Sequence, residues 1–268
     1  MALPDNLKRQ LRQALGAFGA ANGIAAVPGG SGKALEAWVF MRLAMTARNT
    51  GLWSVTLHRG DGNLLSPGTS FDFATSQSGI QAASLLAPCF VRLAYRTNPA
   101  KRFELHGGLQ WRGRSNATHE IDVSGIPGNI AETLRAGGGG LPRGLPILAV
   151  ECKDKTSAGT PDEMRQTLAR LYDLALVTSP PFPVPRCRAY GEASSAAVAS
   201  WGTRSPTYRA FFAKGTFAIA RVGKFSSGAH RIGQHYHIRR VQQIYASSVA
   251  LAGLEASFRE TLATLDLF

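Results

Sequence analysis

The stretch Leu145–Lys153, LPILAVECK, is the most informative in the chain, because an apolar run leads directly into the charged pair Glu151 and Lys153. Such a run is typical of a strand that is buried on both faces. Side chains alternate along a strand, so Glu151 and Lys153 point the same way while Cys152 points oppositely and can enter the core. A charged pair at this place is costly unless it has partners or a ligand. The stretch therefore predicts a functional site or, alternatively, an internal salt bridge of Glu151 with Lys153 or Lys155.

The pattern Glu-x-Lys is rare in this chain, and a second carboxylate can be placed beside it. Of all the lysines, only Lys153 has an acidic residue two positions before it. Asp122 lies 151 − 122 = 29 residues upstream of Glu151, on a predicted strand Glu120–Val123. Neighbouring strands lie about 4.8 Å apart, so Asp122 and Glu151 could share a metal ion. Carboxylates that hold Mg²⁺, together with a basic group, are what hydrolysis of a phosphodiester by an activated water requires.

The remaining patterns of apolar residues predict alternating helices and strands. Helices are predicted at Pro4–Phe18, Lys33–Arg48, Ile80–Arg96, Pro161–Val177, Ser226–Gln234 and Ala246–Leu265, and strands at Trp53–Leu57, Phe103–Leu105, Leu109–Trp111, Glu120–Val123, Thr216–Arg221 and His237–Ile244. Thr160 and Pro161 are suited to begin the fourth helix. This order favours an α/β fold, a mixed central sheet flanked by helices, in a single domain of residues 1–268 with insertions around 55–100 and 178–213.

The charge of the chain points to a polyanionic partner. Lys and Arg number 30 against 17 Asp and Glu, which gives a formal net charge of +13, so the surface should attract nucleic acid. No acidic residue occurs from Ala193 through Leu254. The cations predicted to contact nucleic acid in this tract are Arg204, Arg209, Lys214, Lys224, Arg231, Arg239 and Arg240. Contacts of this kind position a phosphate backbone without reading its sequence; a basic but inert surface is the alternative.

Several other classes of protein are excluded. The three widely spaced cysteines fit neither a disulfide framework nor a zinc site. Gly29–Lys33 is not a phosphate-binding loop, because Val27 stands where such a loop has glycine and Ala34 where it has Ser or Thr. No apolar run approaches the roughly 20 residues that span a bilayer. We therefore expect a cytoplasmic protein that has no membrane partner.

Asp122 followed by Glu151-x-Lys153 after an apolar run resembles the PD-(D/E)xK, restriction-endonuclease-like nuclease superfamily. The order of elements over roughly residues 33 to 245 is similar to that of type IV restriction nucleases. The resemblance implies that Asp122, Glu151 and the carbonyl of Cys152 bind Mg²⁺ or Mn²⁺. It also implies that Lys153 orients or activates water and stabilises the phosphorane. One departure is Ile121, which stands where the signature has proline.

The resemblance also suggests auxiliary residues. Glu36, on the strong second helix, would complete the metal site, although it could instead face solvent or pair with Lys33 or Arg42. Glu120 shares the strand face of Asp122 and could add to it or replace it, and Gln166 lies on the helix that follows the Glu-x-Lys strand.

The function that the resemblance implies is that of a Mg²⁺-dependent DNA endonuclease in restriction or antiphage defence, as a homodimer or with a partner protein of a defence system. The alternatives are a catalytically inactive nucleic-acid-binding or assembly subunit of the same fold, and a junction-directed or RNA-directed nuclease.

Overall fold

The computed structural model describes residues 3–20, 31–174, 176–178, 186–188, 215–246 and 249–264. The predicted contact residues Arg204, Arg209 and Lys214 lie outside these ranges, as does most of the segment 178–213. The described helices are α1 (Asp5–Ala17), α2 (Ser31–Asn49), α3 (Gly128–Ala136), α4 (Pro161–Leu174), α5 (Ser227–His235) and α6 (Ala252–Thr264). The described strands are β1 (Trp53–His58), β2 (Ile80–Gln81), β3 (Phe90–Tyr95), β4 (Asn98–Arg112), β5 (Thr118–Pro127), β6 (Gly139–Gly140), β7 (Leu148–Lys153), β8 (Leu176–Thr178), β9 (Arg186–Arg188), β10 (Thr216–Arg221) and β11 (Ile238–Val241).

A seven-stranded sheet with the order β1-β3-β4-β5-β7-β10-β11 forms the centre of the fold. Its strands are antiparallel from β1 to β7, and β7, β10 and β11 are parallel. The prediction of an α/β protein with a mixed sheet flanked by helices is thus confirmed, and most of the pairing is antiparallel. The stretch 55–100 supplies β1 and β3 to this sheet.

Helix α2 is the central buried helix, as its apolar surface predicts. Leu35, Trp38 and Leu43 are fully buried, and α2 contacts strands β1, β4, β5 and β7 as well as α1 and α6. The Trp38 indole donates a hydrogen bond to Gln10 of α1 at 3.2 Å. Helix α2 therefore has a fixed position relative to β5 and β7, and it carries Glu36 to those strands.

The predicted helix at Ile80–Arg96 is wrong. The chain there forms only the short strand β2, and the sheet strand β3 follows from Phe90. Pro88 interrupts any helix, and beyond it Val91 and Leu93 are fully buried whereas Arg92 is not. That alternation has the two-residue period of a strand, which the longer helical interpretation overlooked.

Most other boundaries agree within a few residues, but the two strands predicted at Phe103–Leu105 and Leu109–Trp111 are parts of the single strand β4. Thr160 accepts a hydrogen bond from the backbone of Glu163 at the start of α4, and Ser226 accepts one from Ala229 at the start of α5, so both helix starts are confirmed. The last helix begins at Ala252 and not at Ala246, and α3 was not predicted. Within the described residues, no helix is both long and apolar enough to cross a membrane.

Candidate active site

The two carboxylates Asp122 and Glu151 lie where β5 and β7 stop pairing. The antiparallel ladder runs through Gly125↔Leu148 and ends at Val123↔Val150, and the next step of the same register sets Asp122 against Glu151. Asp122 Oδ2 accepts a hydrogen bond of 2.6 Å from the backbone N–H of Cys152. Both acidic residues are buried, with 8% and 5% of their surface exposed. Residues opposite one another in such a register have Cβ atoms roughly 4.5–5.5 Å apart.

Glu151 forms two ion pairs, one through each of its oxygens. Lys153 Nζ donates to Oε2 at 3.0 Å, and Arg170 of α4 donates to Oε1 at 3.0 Å. The internal salt bridge considered as an alternative for Glu151 and Lys153 is therefore present. Burial opposes the charge of Lys153, but the charges of Glu151 and Asp122 outweigh it and raise the lysine pKa. Lys153 is consequently a cation at neutral pH.

Glu36 belongs to the same group of charges. It receives a hydrogen bond of 2.7 Å from Lys33, one helical turn earlier, and only 15% of its side chain is exposed. Burial and the charge of Asp122 raise the pKa of Glu36 to about 7. Burial and Glu151 likewise raise the pKa of Asp122, and burial and Asp122 raise that of Glu120. The structure thus brings Glu36, Glu120, Asp122 and Glu151 close enough for their negative charges to act on one another.

Helix α4 crosses the ends of three strands. Near its start, Glu163 accepts a hydrogen bond from Arg221 of β10. Arg170 reaches Glu151 of β7, and in the last turn Asp173 contacts His119 of β5 at 2.6 Å. The three contacts follow the spatial order β10, β7, β5. Helix α4 therefore lies across the strand ends at which Glu151 and Lys153 stand.

The donor set fits a hard divalent cation of the kind that the resemblance implies. Mg²⁺ is commonly held by one or two carboxylates, with water and substrate oxygens completing its shell. Asp122 and Glu151 supply two such carboxylates, and their mutual repulsion would be relieved by a cation. Within the residues that the structure describes, no three His, Cys, Asp or Glu side chains are arranged to hold a metal ion. In this arrangement Lys153 and Arg170 bind the oxygens of Glu151.

The other predicted site residues have different positions. Gln166 is exposed on α4, one turn before Arg170. Lys224 is exposed in the loop after β10, and its carbonyl accepts a hydrogen bond from Gly159 in the loop that follows Lys153. Arg231 is exposed on α5. Arg239 and Arg240 lie on the edge strand β11 and line a cavity of about 630 Å³ together with residues that precede β10 and β11. Of the described part of the tract, Lys224 is thus beside the candidate site, whereas the cavity opens at the amino-terminal ends of β10 and β11.

Two residues of the site, Lys33 and Arg170, were not predicted from the sequence. Lys33 and Glu36 are three residues apart on a helix, and this spacing could have placed Lys33 beside Glu36 in the site. From the sequence, the pair was considered only as one alternative for Glu36. Arg170 had no such signal, because its contact with Glu151 depends on the path of α4 across the strands.

The comparisons with known proteins add no relative that could supply a function. The chain matches no protein-family model, no curated protein and no solved structure.

Proposed function

We propose that this protein is a metal-dependent nuclease of the restriction-endonuclease-like kind, with Asp122, Glu151 and Lys153 as its catalytic residues. The observation that carries the proposal is that Asp122 and Glu151 meet at the end of the β5–β7 ladder, with Lys153 hydrogen-bonded to Glu151. A buried carboxylate with a raised pKa beside a lysine, as Asp122 has here, is typical of an active site.

The residues have distinct roles in this proposal. Asp122 and Glu151 would hold Mg²⁺ or Mn²⁺, with the carbonyl of Cys152 as a further oxygen donor. When bound, such a cation supplies Lewis-acid chemistry and an acidified water. Lys153, whose raised pKa keeps it protonated, donates hydrogen bonds to the scissile phosphate and stabilises the negative charge that develops there. Glu36, whose pKa is about 7, exchanges a proton near neutral pH in the metal-free site, while Glu120 adds negative charge.

Phosphodiester bonds of nucleic acid are the substrate class that the chain's charge favours, because the net charge of +13 attracts polyanions. DNA is the substrate we propose, in restriction or antiphage defence. A cytoplasmic location and a homodimer or partner protein belong to the same proposal.

A catalytically inactive nucleic-acid-binding subunit is the second candidate, and one observation favours it. Both oxygens of Glu151 are engaged by cationic side chains, as in a purely structural ion-pair network. The two candidates differ in whether the chain cleaves nucleic acid at all, so a direct cleavage assay separates them.

The test is a cleavage assay on supercoiled, linear and single-stranded DNA and on RNA, with Mg²⁺, with Mn²⁺ and with EDTA. Lys153→Ala should lose most turnover, about 10²- to 10³-fold, yet keep Mn²⁺ binding, because an ammonium cannot ligate a cation. Glu151→Ala should lose both. Lys155→Ala is the matched control, since Lys155 is the same residue type two positions on and exposed.

Each result bears on one assignment. A Lys153→Ala protein that cuts at the parental rate would remove the proposed role of the lysine. Cleavage that persists at the parental rate in EDTA would overturn metal dependence, and absence of cleavage on every substrate would favour the binding subunit. The RNA alternative would be supported by cleavage confined to RNA, and a branched DNA substrate added to the same assay would test the junction alternative.

A further inference from the structure

A basic hairpin borders the candidate active site. The turn between β4 and β5 lies within the stretch 111–118, WRGRSNAT, which contains Arg112 and Arg114 and no acidic residue. Thr118 precedes Asp122 on β5 by 122 − 118 = 4 residues. At the usual rise per residue, the hairpin turn therefore begins about 13 Å from that carboxylate, or roughly four base pairs of duplex DNA.

The turn is fixed to the last turn of α4 by Asp173. The backbone N–H of Ser115 donates to Asp173 Oδ1 at 3.1 Å and its hydroxyl donates to Oδ2 at 2.6 Å, where His119 Nε2 also lies at 2.6 Å. Gly113 permits this approach, because a Cβ there would lie 1.9 Å from Oδ2. The hairpin is thus ordered before any ligand binds, which reduces the conformational entropy lost on binding.

Arg114 is held in place on this hairpin by contacts with Tyr172. Its guanidinium carbon lies 4.6 Å from the centroid of the Tyr172 ring, and it donates to the Tyr172 carbonyl at 3.1 Å. The residue is exposed, and no carboxylate among the described residues forms an ion pair with it. Stacking on an aromatic ring and one hydrogen bond leave the other donors of a guanidinium available for an anion.

Arg112 is placed beside another arginine. It forms an isolated backbone bridge with Arg143, whose guanidinium donates to Asn116 at 3.0 Å. Like charges directly opposite each other are destabilising. A phosphate oxygen bound by the outer guanidinium nitrogens of Arg112 would offset this repulsion, since Arg–phosphate hydrogen bonds are among the strong ones.

We propose that the hairpin β4–β5 binds the phosphodiester backbone of DNA next to the scissile bond, through Arg112 and Arg114. This inference rests on the proposed nuclease function and names its binding surface. The hairpin contacts phosphates and so positions the strand over Asp122 and Glu151 without reading base sequence. It lies at the strand ends that carry Lys153, whereas Arg239 and Arg240 line a cavity at the other ends of the parallel strands.

The test is the salt dependence of DNA binding by the full chain in EDTA, measured by fluorescence anisotropy with labelled duplex and single-stranded oligonucleotides. The double variant Arg112→Gln, Arg114→Gln should weaken binding roughly ten- to hundredfold near 0.1 M salt and lower the slope of log K against log salt by about 1.8 for duplex. The control Arg9→Gln, Arg12→Gln removes the same charge from exposed positions of α1 and should change affinity less than about twofold. Arg112→Lys, Arg114→Lys keeps the charge and should retain most of the slope.

Hairpin and α1 variants that bind equally well would overturn the proposal, as would a parental chain that binds neither form of DNA. Ser115 and His119 still hold the turn in the Gln variant, and a melting curve checks this; if that variant unfolds, the single variant Arg114→Gln against Arg9→Gln decides. The two proposals fail separately. If the parental chain never cleaves but the hairpin variant binds DNA more weakly, the hairpin proposal stands and the nuclease proposal fails. If the parental chain cleaves DNA but the hairpin variant binds with unchanged affinity, the nuclease proposal stands and the hairpin proposal fails.

Discussion

The buried carboxylates of this molecule fall into two groups, whose surroundings shift the pKa in opposite directions. Glu104 on β4 is fully buried and is bound by Arg135 at 2.6 Å, by Arg92 at 3.0 Å and by His106 at 3.0 Å. Burial alone would raise its pKa, yet the hydrogen bond and charge of His106 and the charge of Arg135 lower it to about 2. At the β5–β7 site, in contrast, the pKa of Glu36 is raised to about 7.

Burial does not by itself distinguish a functional carboxylate from a structural one. Glu104 has an excess of cationic partners, and it ties together β3, β4 and α3 through them. At the β5–β7 site, the carboxylate of Asp122 faces the carboxylate of Glu151 and its pKa is raised. Where carboxylates repel one another, a divalent cation is the group that restores the balance.

The largest expected effect concerns the structural group. Glu104→Gln should lower the free energy of unfolding by about 3–5 kcal/mol, because it leaves the buried guanidinium of Arg135 without a charged partner. Urea unfolding at pH 7 measures this. Glu132→Gln is the control, since Glu132 also pairs with Arg92 but is 33% exposed, and it should cost under about 1 kcal/mol. Equal effects of the two substitutions would contradict the structural role given to Glu104.

The next effect has the opposite dependence on pH. The pKa of Glu36 in the fold, about 7, lies above its ordinary value of 4.5. Its contribution to stability is therefore complete below pH 4.5 and is lost as the pH rises through about 7, whereas that of Glu104 is lost as the pH falls toward about 2. Across that pH range the parental chain should lose on the order of 1–3 kcal/mol of unfolding free energy through Glu36, and the Glu36→Gln variant should not show this loss.

Unfolding free energies in EDTA from pH 4 to 8 would test this, with Asp162→Asn at a site that is 73% exposed as the control. Parallel curves for the parental chain and for Glu36→Gln would mean that Glu36 titrates normally and does not feel Asp122.

The sequence was sufficient for features that depend on local order. The alternation in β7 predicted that Glu151 and Lys153 share a side, and Lys153 does donate to Glu151. The burial of Cys152 at 8% exposure agrees with its predicted direction. The helix start at Thr160 also followed from local chemistry, since a capping side chain acts within three residues.

The sequence was not sufficient where residues distant in the chain meet. Glu104 and Arg135 are 31 positions apart, and nothing in the pattern of β4 indicated that this glutamate is buried. The hairpin arginines were likewise overlooked, because two arginines in a short turn do not stand out from a basic chain. Their significance follows from Asp173, which lies 58 positions from Ser115 and fixes the turn.

The smallest expected effect concerns the ion pair between Arg170 and Glu151. Arg170 donates to Glu151 as Arg135 donates to Glu104, but the side chain of Arg170 is 38% exposed and that of Arg135 only 7%. A bound cation must compete with Arg170 for the carboxylate oxygen of Glu151, so Arg170→Ala should strengthen Mn²⁺ binding. The expected gain is only about three- to tenfold, roughly 1 kcal/mol, because solvent screens an exposed ion pair. Calorimetric titration of Mn²⁺ measures the change, and Arg165→Ala on the same helix, where Arg165 is 66% exposed and pairs with Asp162, should leave the affinity unaltered. Weaker Mn²⁺ binding in Arg170→Ala would mean that the arginine orients Glu151 for the metal and does not compete with it. Glu151 would then resemble Glu104, because in both cases a guanidinium would hold the carboxylate in position.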